Sequence, residues 1–481
     1  MSRVIGYGLH KSPMCLNGGT VQEGLTGLQR ELRGCWRNNF TIYCFSEETM
    51  NYEAAKAIVS EWLGREPVPG LIVRRSPSSE IAPKGSVLAI VGARRSGKTF
   101  LMYQMAAKAE SSGGSSLLVD FEDYRLTFLV PGDMELFLRA HSELSDRPLT
   151  HLFLDEVQSL PDWSRVIRTL CNRRRYHIVV SGSNAGLLER EVSTELRGRH
   201  TSRRMLPLSF TEYLDFKGID MDRTMLYTEQ SGKLSGALRS YMETGGFPEV
   251  VLAESNLRRS ELLSSYFRTV FFNDMVERFD IHAAPTMQRL MEYFLHSFST
   301  LFSISRFTGK LKSEGISSSK KTISAYLSYL EEAFFIHTGE LCDPSAHKRR
   351  MNPRKVYLMD HGFAAIPLAY SENLGLLLEN VVATELLRRG RKFCYYRGRG
   401  ECDFIADGDE NSREAIQVCW ALDKTNQQRE YDSLLEAGAN AGASSCIVIT
   451  SDDRSTFERD GRTVEILPAW QWLMESLHEN I

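Results

Sequence analysis

The stretch Val87-Leu-Ala-Ile-Val-Gly-Ala-Arg-Arg-Ser-Gly-Lys-Thr-Phe100 decides the fold of this chain, because it joins an apolar run to a glycine-bounded loop and a helical pattern. A strand, the pattern Gly-x-x-x-x-Gly-Lys-Thr at residues 92–99 and a helix are typical of loops that bind nucleotide phosphates. The two glycines allow turns that point backbone N–H groups at phosphate oxygens, and the helix adds its positive end. The stretch therefore predicts an α/β fold. Its helical part is expected to bury one face, formed by Phe100, Leu101, Met105 and Ala106.

Residue types in this loop match the parts of a magnesium–nucleotide complex. Lys98 supplies a compact cation for the β- and γ-phosphates, and the Thr99 hydroxyl is a hard oxygen ligand suited to Mg²⁺. We therefore expect ATP and Mg²⁺ as cofactors, with Thr99 as a metal ligand. The residues predicted to bind the nucleotide are Gly92, Ala93, Arg94, Arg95, Ser96, Gly97, Lys98, Thr99 and Phe100.

Length and composition limit the class of protein. A chain of 481 residues is expected to hold about three domains, and 42% apolar with 25% charged residues is ordinary for a soluble globular protein. A net charge of −3 means that a nucleic acid would have to meet a local basic patch. No apolar run approaches the ~18 residues of a membrane span. The nine cysteines are scattered without a Cys-x-x-Cys pair, so we expect neither a zinc site nor a disulfide framework, and a reducing cytoplasm fits best.

Paired acids end a second apolar strand, His151-Leu-Phe-Leu-Asp-Glu-Val-Gln158. Asp155 follows Lys98 by 57 positions, which leaves room for the helix, strand and helix of a parallel sheet. We expect Asp155 to hold Mg²⁺ through its water shell. Glu156 is then the predicted catalytic base, which orients and deprotonates the attacking water.

A further strand, His177-Ile-Val-Val-Ser-Gly-Ser-Asn184, ends in polar residues at the edge where open α/β sheets bind ligands. Ser183 or Asn184 is expected to contact the γ-phosphate or the attacking water, and a plain strand-end turn is the alternative. Arg199 is either an arginine finger that acts in a neighbouring subunit or a surface arginine. The predicted catalytic residues are therefore Lys98, Glu156, Asn184 and Arg199.

Seven motifs in this order resemble a family of prokaryotic AAA-type ATPases. They are Gly-Ala-Arg-Arg-Ser-Gly-Lys-Thr (92–99), Asp-Phe-Glu-Asp-Tyr-Arg-Leu (120–126), Leu-Asp-Glu-Val-Gln (154–158), Ser-Gly-Ser-Asn (181–184), Leu-Arg-Gly-Arg (196–199), Pro-Leu-Ser-Phe (207–210) and Gly-Gly-Phe-Pro-Glu (245–249). Members join an ATPase core to a C-terminal domain of unknown function that looks like a restriction-endonuclease fold. The resemblance covers about residues 50–470. It implies that Gly245, Gly246 and Pro248 lie in a helical lid over the nucleotide.

The middle of the chain has a helical pattern. After a turn at Gly315, a helix begins with N-cap serines and places Ile323, Tyr326, Leu327 and Leu330 on one face, which predicts a helix-turn-helix or winged helix. Between residues 303 and 325, a single acid, Glu314, accompanies five basic residues: Arg306, Lys310, Lys312, Lys320 and Lys321. This excess suits DNA phosphates, although winged helices also dock proteins and lysines often form only a solvated face.

The last part of the chain has the order helix, three strands, helix, strand. This order matches metal-dependent nucleases of the restriction-endonuclease type, which hold Mg²⁺ with an Asp on one strand and Glu-x-Lys on the next. Asp403 occupies the first position, with Glu379 and Glu385 on the preceding helix, but Gln417-Val-Cys419 replaces Glu-x-Lys. An amide and a thiol do not replace a carboxylate and an ammonium, so we expect no nuclease activity. Alternatively, Asp403 is a partly buried acid paired with Arg397 or Arg399.

The sequence thus predicts five parts. They are a poorly structured extension at 1–49, whose translation in the native protein is open, an AAA-type ATPase core at 50–215, a helical lid at 216–300, a winged-helix-like segment at 301–355 and an inactive restriction-endonuclease-like domain at 356–481. The expected function is Mg²⁺-dependent ATP hydrolysis coupled through the lid to the later modules.

The expected partners are ATP, double-stranded DNA or a protein, and further copies of the chain, with no membrane. Two rival functions are a nucleotide-gated switch or scaffold with little turnover, which Glu156 disfavours, and an ATP-regulated nuclease, which the missing Glu-x-Lys disfavours.

Overall fold

The computed structural model describes residues 50–65, 81–127, 129–183, 196, 198–219, 231–367, 373–408 and 412–475. Asn184 and the predicted extension at 1–49 lie outside the described residues. All described residues belong to one compact unit, Thr49–Ile481. None of the described helices is long and apolar enough to cross a bilayer.

The N-terminal half is built on a parallel sheet, as the sequence predicts. Its strands are β1 (Val87–Gly92), β2 (Ser116–Asp120), β3 (His151–Asp155), β4 (His177–Gly182) and β5 (His200–Met205), in the order β2-β3-β4-β1-β5. The helices of this half are α1 (Tyr52–Leu63), α2 (Lys98–Ser111), α3 (Met134–Leu144) and α4 (Trp163–Arg173). Every residue of β1 is buried. A strand covered on both faces needs the continuous apolar run that the sequence has.

The buried face of α2 differs from the predicted one at Phe100. Met102, Met105, Ala106 and Ala109 are buried, whereas Phe100 is half exposed. The prediction for Phe100 is wrong because the face centred on Met102 continues three, four and seven residues later. A side chain two residues before Met102 lies about 200° around the helix and points away from the sheet.

A helical segment follows the first sheet. It contains α5 (Phe210–Phe216), α6 (Ser231–Thr244), α7 (Pro248–Leu252) and α8 (Asn256–Thr269), which continues as a π-helix over Val270–Glu277. The turn between α6 and α7 is tight, because a Cβ on Gly246 would lie 2.6 Å from the carbonyl oxygen of Leu208. The Gly246 N–H donates to Asp360 at 2.8 Å. This turn therefore contacts both Leu208, shortly after the first sheet, and Asp360, far along the chain.

The middle of the chain contains a three-stranded antiparallel sheet with strand order β6-β8-β7. Its elements are α9 (Ala284–His296), β6 (Thr300–Phe302), α10 (Ile304–Ser313), α11 (Lys320–Glu332), β7 (Ile336–Gly339), α12 (Ala346–Met351) and β8 (Arg354–Leu358). Gly315 has a φ of 80° in the turn between α10 and α11, where glycine avoids the strain of a side chain. The buried face of α11 is the predicted one, Ile323, Tyr326, Leu327 and Leu330.

The C-terminal part contains a mixed six-stranded sheet in the order β13-β14-β12-β11-β10-β9. Its elements are α13 (Leu374–Arg388), β9 (Phe393–Arg397), β10 (Glu401–Asp407), β11 (Arg413–Val418), α14 (Gln427–Ala441), β12 (Ser445–Thr450), β13 (Ser455–Arg459), β14 (Arg462–Pro468) and α15 (Ala469–Glu475). Strands β11, β12 and β14 are parallel to one another, and β10 is antiparallel to β11. The predicted order of helix, three strands, helix and strand is present.

One disulfide corrects the expectation that the cysteines form no cross-link. Cys342 and Cys394 are bonded although they are 52 residues apart in the sequence. They meet because residues 340–342 lie beside β9, where the Cys342 N–H donates to the Tyr395 carbonyl at 2.8 Å. Spacing alone gave no sign of this pairing.

Candidate functional site

The loop after β1 has the backbone of an anion cradle. Arg95 and Gly97 have φ values of 64° and 95°, and α2 begins at the next residue, Lys98. Gly97 caps α2 without a side-chain hydrogen bond. The first backbone N–H groups of a helix have no partner within the helix, so those of α2 remain for an anion.

Gly92 is needed for a reason other than the predicted turn freedom. Its φ is not positive, but a Cβ at this position would overlap the carbonyl oxygen of Met205 on the neighbouring strand β5. Close approach of two strand ends therefore fixes glycine here.

Gly92→Ala is therefore expected to destabilise the protein by about 1–3 kcal/mol, because the added methyl group meets backbone, which cannot rotate away. The midpoint of thermal unfolding measures the effect. Gly132→Ala is the matched control, since a Cβ at Gly132 meets nothing within 4 Å. Equal unfolding midpoints for the two variants would show that Met205 moves aside without loss of stability.

Lys98 and Glu156 form a buried ion pair beside the loop. The Lys98 ammonium lies 3.2 Å from Glu156 Oε1 and donates to the carbonyl oxygens of Gly92 and Ala93 at 3.1 and 3.2 Å. The other carboxylate oxygen of Glu156 accepts from the Ser183 N–H at 3.1 Å. Burial by itself raises the pKa of Glu156, but Lys98, a hydrogen bond from Gln158 and the nearby Arg94 outweigh it and lower the pKa to about 2.

Thr99 and Asp155 bring two hard oxygen donors together next to this pair. The Thr99 hydroxyl donates to Asp155 at 2.5 Å, and the Ser181 hydroxyl donates to the other carboxylate oxygen. Burial raises the pKa of Asp155. A hydroxyl and a carboxylate at the end of a phosphate-binding loop have the donor chemistry that Mg²⁺ prefers. The uncapped helix and these oxygens together fit ATP with Mg²⁺.

The structure adds an arginine network that sequence reasoning missed. Arg278, directly after the π-helix, donates to the Ser183 hydroxyl at 3.0 Å and lies 3.0 Å from Asp274. Its Nη1 atom is buried without a hydrogen-bond partner among the described residues. Asp274 also accepts from Arg94 of the loop at 3.1 Å. The Arg278 guanidinium therefore lies beside the end of β4. It contacts Ser183, which in turn contacts Glu156.

The side chains of the two loop arginines, Arg94 and Arg95, can be located from their neighbours. Arg94 also donates to Glu122 at 2.7 Å, and Arg95 lies over the ring of Tyr266 on α8 at 5.7 Å. Both side chains thus contact other elements, which leaves the backbone of the predicted loop to face a ligand. The only sequence sign of the network was an acid and an arginine four residues apart, a spacing that is common on helix surfaces.

Comparison with known proteins identifies the family of this chain. A family model described as an AAA domain matches residues 84–214, and a domain of unknown function, DUF8612, matches residues 235–373. Uncharacterized protein MJ1544 of Methanocaldococcus jannaschii is 30% identical over 83% of this chain and 91% of its own length. An uncharacterized protein of Haemophilus influenzae is 28% identical over 80% of this chain and 94% of its own length. The chain belongs to the family of the M. jannaschii protein. Its residues 84–214 are an AAA domain, and the chain is a P-loop protein of the AAA type.

Among solved structures, AMPPCP-bound DnaA from Aquifex aeolicus is similar at 15% identity over 53% of this chain and 84% of its own. The TM-score of 0.22 is too low to support a conclusion about either fold or function.

Arg199 lies at the other end of the AAA domain's sheet. Its carbonyl oxygen accepts from the N–H of Val87, at the start of β1, whereas the phosphate loop follows the end of β1. Its guanidinium donates to Asn172 at 3.1 Å. Within one chain, Arg199 therefore does not meet Lys98 or Glu156, and its action in a neighbouring subunit stays a prediction.

The C-terminal part contains a second polar cluster, centred on Lys355 of β8. The Lys355 ammonium lies 2.8 Å from Asp403, 2.8 Å from Glu401 and 3.0 Å from Glu379. Its side chain is 3% exposed. Asp403 is thus paired with Lys355, and the expected partners Arg397 and Arg399 are wrong. Lys355 of β8 and Asp403 of β10 are 48 residues apart in the sequence, and no sequence pattern indicated this contact.

Two other side chains of the predicted nuclease site, Glu385 and Gln417, have hydrogen-bond or ion-pair partners of their own. Glu385 pairs with Arg388 and Arg389, each at 3.1 Å. Gln417 accepts from the Asp403 N–H at 3.3 Å and donates to Glu430 at 2.7 Å. Among the described residues no group of three acidic, histidine or cysteine side chains is arranged to hold a metal ion. The carboxylates around Lys355 do not fit Mg²⁺ while the ammonium lies between them.

Proposed function

We propose that this AAA-type protein hydrolyses ATP in the presence of Mg²⁺. The observation that carries the proposal is the arrangement at the end of β1, where an uncapped helix, Lys98, the Thr99–Asp155 pair and Glu156 lie side by side. A protein that only binds nucleotide needs the loop and the lysine. It does not need a buried glutamate beside them, so Glu156 favours hydrolysis over the switch or scaffold.

In this proposal the Lys98–Glu156 pair opens when ATP binds. Lys98 exchanges the carboxylate for the β- and γ-phosphates, and Thr99 and Asp155 would hold Mg²⁺, which would neutralise phosphate charge. Glu156 then loses the cation that lowers its pKa, and its affinity for a proton rises. The hydrogen bond from the Ser183 N–H keeps its carboxylate at the end of β4, where it takes the proton of the attacking water.

Arg278 is proposed to contact the γ-phosphate. Its buried Nη1 atom, which has no hydrogen-bond partner among the described residues, and its bond to Ser183 support a role for its positive charge during hydrolysis, when negative charge develops on the phosphate. Asp274 ties Arg278 to Arg94 of the loop, so the loop and the helix over 256–277 share one carboxylate. A change in the bound nucleotide can therefore be transmitted to that helix by the exchange of a single ion pair.

Arg278→Gln is expected to lower the hydrolysis rate at least tenfold with a small effect on ATP affinity, because the charge acts on the reacting phosphate. Phosphate release and equilibrium binding of a fluorescent ATP analogue measure the two quantities. Arg268→Gln is the matched control, since Arg268 is an exposed arginine of the preceding helical stretch. A loss of affinity without loss of turnover would assign Arg278 to binding alone.

The proposed domains keep the predicted boundaries of 50–215, 216–300, 301–355 and 356–481. In support, the parallel sheet lies within the first and the mixed sheet lies within the last, whereas β6 and β8 cross the two ends of the third. The chain order α9, β6, α10, α11, β7, α12, β8, with β8 paired between β6 and β7, supports a winged helix. Lys320 and Lys321 are exposed at the start of α11 and are proposed to contact DNA.

The restriction-endonuclease-like domain is proposed to be a binding or assembly module. Lys355 supports this reading, because its ammonium neutralises the carboxylates that a nuclease would use for Mg²⁺. An ATP-regulated nuclease is the rival. Mg²⁺-dependent nicking of plasmid DNA that disappears in Asp403→Ala would establish the rival.

The experiment that tests the main proposal compares ATP hydrolysis by the wild type and by Lys98→Ala, with Lys108→Ala as a matched lysine of the same helix. The proposal expects turnover in the wild type and in Lys108→Ala and none in Lys98→Ala. Adding duplex DNA to each reaction tests the coupling to the winged helix.

A further inference from the structure

A basic segment separates β7 from β8. Between Pro344 and Met359 the chain has no aspartate or glutamate, and it carries five lysines and arginines: Lys348, Arg349, Arg350, Arg354 and Lys355. Lys355 is buried in the C-terminal cluster, and the other four precede it on or near α12. We call residues 340–354 the basic hairpin.

The helix of the basic hairpin stands on the surface. No residue of α12 is buried, and Met351 at its end is 72% exposed. A six-residue helix does not persist through its own propensity, and this one has no apolar face packed on a core. Its shape is held by polar contacts at its base, where Arg349 donates to the carbonyl oxygens of Asp343 and Pro344 at 2.7 and 3.2 Å.

The charge of the basic hairpin is only partly neutralised. Asp343 lies 3.3 Å from Lys348, and Glu340 lies 3.5 Å from Arg349 and 3.4 Å from Arg354. Two carboxylates thus pair with three of the four cations. The guanidinium of Arg350 has no ion-pair partner in the part of the chain that the structure describes, and His347 beside it is exposed. Local positive charge therefore remains on the exposed helix α12.

We propose that the basic hairpin is a contact for the phosphate backbone of double-stranded DNA, with α12 lying in the major groove. The inference rests on the DNA-binding part of the proposed function and adds a second surface to it. A helix with its side chains is about 10–12 Å wide, and the major groove of B-DNA is about 12 Å wide. A protruding helix that carries cations and no apolar face matches this groove in both shape and charge.

Other polyanions fit these features less well. A single strand has no groove to receive a helix, and proteins bind it with exposed aromatic rings, which α12 lacks. A membrane surface requires a broad apolar face, whereas α12 exposes one large apolar side chain, Met351. The proposed DNA contacts Lys320 and Lys321 lie on α11, which the short strand β7 separates from the hairpin in the chain.

The test measures binding of a fluorescein-labelled 20-base-pair duplex to the full chain by anisotropy at several salt concentrations. Lys348→Ala/Arg350→Ala is expected to weaken binding about tenfold and to reduce the slope of log K against log salt by about 2, one for each lost phosphate contact. Lys348→Arg/Arg350→Lys keeps the charges and is expected to bind as the wild type does. Lys233→Ala/Arg268→Ala removes two exposed cations elsewhere and is expected to leave both quantities unchanged.

Several results would overturn the inference. They are duplex binding that is unchanged in Lys348→Ala/Arg350→Ala, an equal loss in the control pair, no duplex binding by the wild type, or tighter binding of the labelled single strand or of phosphatidylserine vesicles. ATP hydrolysis is measured on the same samples. The hairpin contributes nothing to the nucleotide site, so an active ATPase that ignores duplex DNA would remove this inference and leave the proposed hydrolysis standing.

Discussion

Glu156→Gln is expected to hydrolyse ATP about 10²–10⁴ times more slowly than the wild type and to bind ATP at least as tightly. The amide cannot accept the proton of the attacking water. It also cannot hold Lys98 as an ion pair, so the ammonium that lies 3.2 Å from the carboxylate in the wild type is free to meet phosphate. Phosphate release under steady state and equilibrium binding of a fluorescent ATP analogue measure the two effects.

The matched control for this variant is Glu135→Gln, which changes an exposed glutamate of α3 that pairs with Arg173. It is expected to match the wild type in both measurements. Turnover by Glu156→Gln within threefold of the wild type would remove Glu156 from the catalytic residues. Failure of both the wild type and Glu156→Gln to release phosphate, with ATP still bound, would favour the nucleotide-gated switch.

Lys355→Met is expected to destabilise the C-terminal part by about 3–5 kcal/mol, because removing one partner of a buried ion pair leaves the remaining charge uncompensated. Here a single ammonium faces Glu379, Glu401 and Asp403 within 3.0 Å. Burial and the neighbouring Asp403 raise the pKa of Glu379, so part of the cost is met by proton uptake. The midpoint of thermal unfolding at neutral pH measures the effect.

Lys392→Met is the matched control, since Lys392 is an exposed lysine of the same part of the chain. The unfolding loss in Lys355→Met is expected to shrink as the pH falls, because protonation removes the uncompensated charges. A midpoint equal to that of Lys392→Met would show that the carboxylates do not depend on Lys355. Tight Mn²⁺ binding by the wild type that is lost in Asp403→Asn would instead make the cluster a metal site.

The sequence was most informative where structure is local. The phosphate loop, the acids after β3 and the buried face of α11 follow from patterns within a dozen residues, and the parallel sheet follows from their order. The structure contains this loop, these acids, this buried face and this parallel sheet. The predicted roles of Lys98, Glu156, Asp155 and the other site residues remain proposals, as do the domain boundaries.

Features that join distant parts of the chain were not predictable in this way. Arg278 follows Ser183 by 95 residues, Lys355 precedes Asp403 by 48, and Cys394 follows Cys342 by 52. Each of these contacts depends on how whole elements pack. The same holds for Gly92, because the carbonyl of β5 that excludes a side chain there is more than a hundred residues away in the sequence.

These long-range contacts share a physical consequence. Asp274 is bonded to both the loop arginine Arg94 and Arg278, and Asp360, two residues after the end of β8, accepts from the Gly246 N–H. Nucleotide site, helical segment and middle sheet are therefore connected through buried carboxylates. Because a buried carboxylate left without its partners is costly, changes at the loop are expected to move these elements together.

The most direct test of the central claim is steady-state phosphate release from ATP by the purified wild-type chain, first with excess Mg²⁺ and then after chelation by EDTA. The account predicts continuous turnover that stops on chelation and resumes when Mg²⁺ is restored, because Thr99 and Asp155 supply the oxygens for that ion. ATP that stays bound without release of phosphate in any of these conditions would contradict it.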